Sequence, residues 1–165
     1  MALDVPSGST VFVDSTVLHY AVVDFPVATR QCIDLLSRIA HGELLACVSI
    51  AVVNDAVHKV MCSEAVVRFG QPRAGLVSWM KRNPDRIRQL THARDFLNLV
   101  GSLPLRTLPC DLATLADAQG CVAEHGLLAS DAMVVGLMRR HGVVHLATND
   151  DDFDPVPDIT VWKPG

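Results

Sequence analysis

The chain has 165 residues, half of them hydrophobic, which is enough for one domain with a substantial core that needs no disulfide or metal staple. Its formal net charge of -4 argues against a general polyanion-binding protein. A mean hydropathy of +0.30 predicts that a second copy or a dedicated binding protein covers part of its apolar surface.

Five short apolar runs, rich in β-branched residues or leucine, predict β-strands. In chain order they are Thr10–Asp14, Leu44–Val48, Leu103–Leu108, Val143–Thr148 and Ile159–Trp162. Between them, apolar residues recur at helical spacing over residues 32–39 and again over residues 51–61. Because helices alternate with strands, the sequence predicts an α/β fold with a parallel sheet.

The stretch from about residue 64 to residue 100 has no strand pattern. Gly70-Gln71-Pro72 and Asn83-Pro84 interrupt it, and so divide it into two or three helical pieces. We expect these pieces to form a helical clip inserted in a single domain that spans residues 1–165.

Two helices are predicted between the third and fourth strands. Asp111 is suited to cap the first helix, which ends at Gly126. Ser130 is suited to cap the second helix, which begins at Asp131 and ends before Gly142. Asp131 therefore lies in a first helical turn, where the helix dipole favours an anion whatever the function.

Neither a targeting peptide nor a membrane span is evident. Residues 1–6 lack a basic segment followed by an apolar core. No uninterrupted apolar run approaches the roughly 20 residues that span a bilayer. We therefore expect a cytoplasmic protein that does not enter a membrane.

Charge is unevenly distributed along the chain. Seven of the fourteen basic residues lie between Arg68 and Arg94, and five aspartates lie within residues 150–158. This asymmetry is typical of a metal-dependent nuclease, which needs acids for the cation and a separate basic face for phosphates. By charge alone, two solvated helix faces explain it equally well.

Two of the predicted strands end on aspartates. Asp14 ends the first strand, and Asp150 follows the fourth. Because the carboxyl ends of neighbouring parallel strands lie side by side, these carboxylates can converge on one ligand, which we expect to be a hard divalent cation. Each also has an explanation as a turn or cap, although Ser15 and Thr16 can cap the helix that follows Asp14.

Asp55 falls within the apolar helix after the second strand. Its apolar neighbours at helical spacing predict largely buried surroundings, where a carboxylate is costly unless it is paired or binds metal. Lys59, four residues further on, would instead pair with it and make it an ordinary surface residue.

Together these blocks resemble a known family. The order and spacing of a PIN domain are found in residues 11–18, an acid six residues after Ser49, residues 130–135 and residues 146–153. The sequence resembles the VapC-type toxins of bacterial toxin–antitoxin pairs over nearly its whole length. Its most specific part is the last block, Thr148-Asn149-Asp150-Asp151-Asp152-Phe153.

The resemblance implies an α/β/α sandwich around a parallel sheet of order 3-2-1-4-5. It implies that the chain hydrolyses RNA phosphodiester bonds with four catalytic acids, Asp14, Asp55, Asp131 and Asp150. Mg²⁺ or Mn²⁺ would bind Asp14, Asp131 and Asp150. The expected partners are an RNA substrate, a small antitoxin protein that holds the toxin inactive, and a second copy in a homodimer.

Other residues have accessory roles by the same resemblance. Thr148 and Asn149 are expected to hydrogen-bond a carboxylate or a water beside the metal, and Asp152 to order the loop or act as an outer ligand. Phosphate contacts are expected from the basic segment, with these candidates: Arg82, Arg86 and Arg88. That segment can equally pack its apolar side against a second copy or an antitoxin helix.

One departure from the family matters. The family usually has glutamate at the second acidic position, where Asp55 is one methylene shorter. Asp55 then completes the site, acts through a water, or weakens metal binding. The alternative function is a PIN-fold protein that binds RNA or a protein partner without cutting. A phosphotransferase of the haloacid dehalogenase type would need an aspartate at Thr16.

Overall fold

The centre of the fold is a five-stranded parallel sheet. A computed structural model describes residues 3–24 and 26–165. The strands are β1 (Thr10–Val13), β2 (Leu45–Ser49), β3 (Leu105–Leu108), β4 (His145–Ala147) and β5 (Thr160–Trp162). They are ordered β3-β2-β1-β4-β5, and every pair is parallel, which confirms the predicted order. β3 begins two residues later than predicted, because Leu103 still ends the preceding helix.

Helices connect the strands. They are α1 (Ser15–Tyr20), α2 (Pro26–Ala40), α3 (Ile50–Phe69), α4 (Leu76–Arg82), α5 (Pro84–Ile87), α6 (His92–Ser102), α7 (Leu112–His125) and α8 (Ala129–His141), with a short 3₁₀ helix at Asp151–Phe153. The chain moves from β1 to β3 in one direction and then returns past β1 to β4. Right-handed crossovers therefore place α1 to α6 on one face of the sheet and α7 and α8 on the other.

β1 lies at the middle of the core. Val11, Phe12 and Val13 are fully buried, as expected for a parallel strand covered by helices on both faces. The strand order reverses beside β1, between β1 and β4. In open α/β sheets, ligands bind outside the carboxyl ends of the strands at such a point.

Helices α7 and α8 pack closely on each other. A Cβ atom added at Gly136 would lie 3.3 Å from the backbone nitrogen of Ala118, so the absence of a side chain permits this approach. Asp111 caps α7 as predicted. The predicted cap at Ser130 is wrong: α8 begins at Ala129 with Leu128 in the cap position, which leaves Ser130 inside the first turn.

The stretch expected to be a helical clip contains the end of α3 and helices α4, α5 and α6. Glu64 on α3 links that helix to the start of α6. The residue is only 4% exposed, and its carboxylate accepts the backbone N–H groups of Thr91 and His92. Burial alone would raise the pKa of Glu64, but these bonds and the nearby Arg68 guanidinium lower it. The single-domain organisation stays a prediction.

Within residues 3–24 and 26–165 no single helix is long and apolar enough to cross a bilayer. Helices α7 and α8 satisfy the length and composition together, but the chain bends by 111° between them.

Glu64→Gln is expected to lower the free energy of unfolding by about 2 kcal/mol, because the amide has no negative charge and its nitrogen cannot accept the bonds that Oε1 accepts from Thr91 and Arg68. Glu124→Gln makes the same chemical change at an exposed side chain paired with Arg139, so it should cost less than about 1 kcal/mol. Urea denaturation at neutral pH measures both. Equal losses would contradict the role of Glu64.

A second prediction concerns His19, which is 6% exposed and whose Nε2 lies 2.8 Å from Ser63 Oγ. Burial, and then the positive charges of Lys59 and Arg73, lower the pKa of His19 to about 4. As the pH falls below about 6.5, the unfolded chain binds this proton before the folded one does. The free energy of unfolding should therefore fall by up to about 3 kcal/mol between about pH 6.5 and pH 4.

Urea denaturation at neutral pH and at about pH 5 measures this loss. His19→Gln, which does not titrate, should show a shallower dependence on pH than the original chain. The same dependence in both proteins would assign the loss to other groups.

Candidate active site

A pocket of about 370 Å³ opens at the carboxyl ends of β1 and β4. Five carboxylates line it: Asp14, Asp55, Asp131, Asp150 and Asp152. The four acids predicted as catalytic are therefore brought to one pocket, together with the accessory Asp152. They come from four elements that the sheet topology draws to the same edge.

Asp14 is the most firmly held of these acids. It is 7% exposed, and its Oδ2 accepts hydrogen bonds from the hydroxyls of Thr16 and Thr148, both at 2.8 Å, and from the Thr16 backbone N–H at 3.2 Å. Its Oδ1 accepts no hydrogen bond from any described residue, so that oxygen keeps its lone pairs for a ligand. Because Asp14 itself caps α1, the expectation that Ser15 and Thr16 would do the capping is wrong.

Thr148 and its neighbours join the two strand ends. The Thr148 hydroxyl oxygen also accepts the Asp150 backbone N–H at 3.1 Å, and Thr16 Oγ1 accepts that of Asn149 at 3.0 Å. Thr148 is therefore in hydrogen-bond contact with a predicted acid, as its expected role requires, whereas the Asn149 side-chain amide donates to Tyr20 instead.

Asp150 caps the short 3₁₀ helix by accepting the Asp152 backbone N–H at 3.0 Å. This bond places Asp150 and Asp152 on the pocket. Asp151, between them, pairs with Lys163 at 2.6 Å, and Asp154 pairs with the same ammonium. Lys163 thus neutralises the two nearby acids that do not line the pocket.

Asp131 lies in the first turn of α8, half-buried at the pocket wall. Burial raises its pKa, and the negative charges of Asp150, Asp152 and Asp14 raise it further. The Ser130 hydroxyl donates to Asp131 Oδ1 at 3.4 Å, which lowers the pKa but does not reverse the shift. Burial and the neighbouring carboxylates therefore disfavour the ionised form of Asp131.

The expectation that Asp55 has buried surroundings is wrong. Its side chain is 49% exposed, because α3 turns this position away from the sheet and into the pocket mouth. Its Oδ2 lies 2.8 Å from Lys59 Nζ, which also donates to Ser15 Oγ at 2.8 Å. Burial would raise the pKa of Asp55, but the bonds from Lys59 and Ser15 lower it. Asp55 is therefore paired with Lys59, as the alternative expected, but it still lines the pocket.

The donor set fits a hard divalent cation. Within residues 3–24 and 26–165, no three acidic, histidine or cysteine side chains are grouped closely enough to hold one ion directly. Mg²⁺ does not require such a cage, since it keeps several waters and is bound by one or two carboxylates. A cation would bind the free Oδ1 of Asp14 and would offset the repulsion between Asp131 and its neighbours.

The predicted RNA-binding arginines lie on the clip, outside the acidic pocket. Arg82 ends α4, and Arg86 and Arg88 belong to α5 and its C-terminal cap. Arg86 lies over the Phe69 ring, with its guanidinium carbon 5.5 Å from the centroid, and Arg88 pairs with Asp85. Their role in RNA binding stays a prediction.

Comparison with known proteins agrees with this architecture. A family model described as the PIN domain matches residues 11–159. The chain belongs to the PIN domain family. No curated protein sequence matches it significantly.

Several solved structures share the fold of this PIN domain. VapBC2 from Rickettsia felis, solved on a DNA fragment from its promoter, is 12% identical, with a TM-score of 0.58, and the match covers 93% of this chain and 98% of that one. PAE2754 from Pyrobaculum aerophilum is 15% identical, with a TM-score of 0.56 and coverages of 93% and 89%. DNA-bound VapBC from Salmonella typhimurium is 14% identical, with a TM-score of 0.55 and coverages of 95% and 99%.

Sequence reasoning missed two contacts of the acids in this PIN domain's pocket, those of Thr16 with Asp14 and of Lys59 with Asp55 inside the lining. Thr16 was considered only as a cap, although a hydroxyl two residues after an aspartate commonly bonds back to it. Lys59 was considered only as a partner that would remove Asp55 from the site, whereas it lies in the pocket lining with Asp55. No local sequence pattern predicts that Lys59 lines the pocket.

Aspartate-to-asparagine changes at Asp131 and Asp14 should have opposite effects on the free energy of unfolding in chelator. Asp131→Asn removes repulsion and should raise it by up to about 1 kcal/mol. Asp14→Asn keeps a capping oxygen but turns three charge-assisted hydrogen bonds into weaker neutral ones, and should lower it by about 1 kcal/mol. Chemical denaturation measures both, and shifts of the same sign would contradict this difference between the two acids.

Proposed function

We propose that the chain is a metal-dependent endoribonuclease, the VapC-type toxin of a type II toxin–antitoxin pair. The observation that carries the proposal is the crowding of carboxylates around Asp131 at the switch point of a PIN fold. Crowded carboxylates are unfavourable in the free protein and become favourable when a divalent cation binds. Solved structures of similar fold are VapBC assemblies, which favours this branch of the family.

In this proposal Asp14, Asp131 and Asp150 would hold Mg²⁺ or Mn²⁺, one or two of these carboxylates directly and the rest through waters that the ion keeps. The bound cation offsets the charge that develops on the phosphate oxygens during hydrolysis. Thr148 and Thr16 fix the Asp14 carboxylate through Oδ2 and leave Oδ1 for the metal. Asp152 is an outer residue of the same site.

Asp55 and Lys59 have a joint role. The Lys59 ammonium is held by Asp55 and Ser15 at the pocket mouth, where it can attract the phosphate of an entering strand. Asp55 therefore positions the Lys59 ammonium. It can orient the attacking water only if Lys59 moves away. Arg82, Arg86 and Arg88 supply further phosphate contacts on the clip.

An antitoxin is the proposed protein partner. An apolar groove of about 480 Å³ runs between the end of α1, α3 and α6, and its lining includes Val22, Val60, Val67, Phe96 and Leu99. Exposed apolar surface of this kind commonly marks a protein contact. A homodimer, formed through other exposed apolar residues such as Leu112 and Leu115, and a cytoplasmic location complete the proposal.

The second candidate is a PIN-fold protein that binds RNA or a partner without cutting. The ion pair of Asp55 with Lys59 favours it, because a carboxylate engaged with an ammonium is less available to a metal or a water. The two functions differ in one observable property, which is RNA cleavage that depends on a divalent cation.

Purified protein is expected to cut total RNA with Mg²⁺ or Mn²⁺ and to leave it intact in chelator. Asp131→Asn should lower the cleavage rate by roughly a hundredfold or more, since metal ligands carry the charge stabilisation. Asp34→Asn makes the same change at an exposed position on α2 and should cut normally. Gel analysis of the fragments measures all three proteins.

Binding without cleavage under either metal would support the second candidate. Equal cleavage by Asp131→Asn and the original chain would contradict the acidic site itself.

A further inference from the structure

A second, smaller pocket lies beside the acidic one on the same helices. It has a volume of about 180 Å³ and is formed by α1, α3, the turn before α4 and the start of α4. Its polar lining is mostly basic or neutral: His19, His58, Lys59, Cys62, Ser63 and Arg73. The other lining residues are apolar, and none is acidic. We call it the basic pocket.

The two pockets meet at Lys59, which lines both. Along α3, Asp55 belongs to the acidic pocket, and His58 and Cys62 to the basic one. At 1.5 Å per residue, the basic pocket is centred roughly 5 to 10 Å further along the helix. A strand with one nucleotide at the acids would therefore bring a neighbouring phosphate to this place.

Arg73 gives the basic pocket its unsatisfied charge. Its guanidinium makes no ion pair or hydrogen bond with any residue in the described part of the chain. Some arginines of the clip do have acidic partners, such as Arg68 with Glu64 and Arg88 with Asp85, and Arg86 lies over the Phe69 ring. A guanidinium that faces a cavity without a carboxylate is suited to bind an oxyanion from outside the protein.

The local electrostatics agree with this geometry. His19 at the pocket wall is held neutral, because burial and then the charges of Lys59 and Arg73 lower its pKa to about 4. These two cations therefore act on the cavity together. The volume is below the roughly 300 Å³ at which pockets for whole small molecules begin, so it suits a single group such as a phosphate.

We propose that the basic pocket, through Arg73 and Lys59, binds a phosphate of the RNA strand next to the nucleotide held at the acidic pocket. This inference rests on the proposed ribonuclease function. It assigns to Arg73 a phosphate contact distinct from those of the clip arginines Arg82, Arg86 and Arg88. An acidic protein segment is the competing occupant, but it would lack a group for the adjacent metal site to act on.

The test is binding of a short, labelled single-stranded RNA of mixed sequence in chelator, where nothing is cut, by fluorescence anisotropy over a series of salt concentrations. Arg73→Gln should raise the Kd roughly tenfold, as expected for the loss of one charged hydrogen-bonded contact. The slope of log K against log salt should become shallower by about 0.7, the value for one phosphate on a single strand. Arg73→Lys should restore much of the slope.

Arg30→Gln is the matched control, because Arg30 is exposed on α2 and lines neither pocket, so its Kd and salt slope should match those of the original chain. A Kd and slope for Arg73→Gln that match the original chain would overturn the basic pocket. So would a loss at Arg73→Gln that is confined to a labelled oligoglutamate peptide, since that would assign the pocket to an acidic segment. Metal-dependent cleavage by the original chain, measured in parallel, separates failure of this pocket from failure of the ribonuclease proposal.

Discussion

Electrostatic repulsion among carboxylates at one edge of the sheet is the constraint around which this fold is arranged. The parallel topology places Asp14 and Asp150 at adjacent strand ends, and α8 adds Asp131 from the opposite face. Such a group lowers the stability of the free protein and creates affinity for a cation. In the proposed nuclease, stability and metal binding are therefore opposed in the same few side chains.

The fold distributes this repulsion unequally. Asp14 is stabilised as a carboxylate by Thr16 and Thr148, whereas Asp131 has only a long bond from Ser130. Nearby acids that do not face the pocket are neutralised by Lys163. The hydrogen bonds to Oδ2 thus fix the Asp14 carboxylate, while Asp131 stays exposed to the repulsion of its neighbours. Such bonds orient a site before any ligand binds.

The fold could be predicted from the sequence because its strands are short apolar runs of uniform type, and because parallel strands leave little choice of connection. The position of Asp14 at a strand end could be predicted in the same way. Its capping role could not, because Ser15 and Thr16 are equally good caps by composition. The exposure of Asp55 could not be predicted either, because apolar neighbours on α3 do not reveal which side of the helix meets the pocket mouth.

The central claim is that the acidic pocket binds a divalent cation. Titration of the protein with Mn²⁺, followed by electron paramagnetic resonance of the free ion, tests it without any RNA. The account predicts saturable binding that weakens at least roughly tenfold in Asp131→Asn and is unchanged in Asp34→Asn. Equal affinity in all three proteins, or no binding by the original chain, would contradict it.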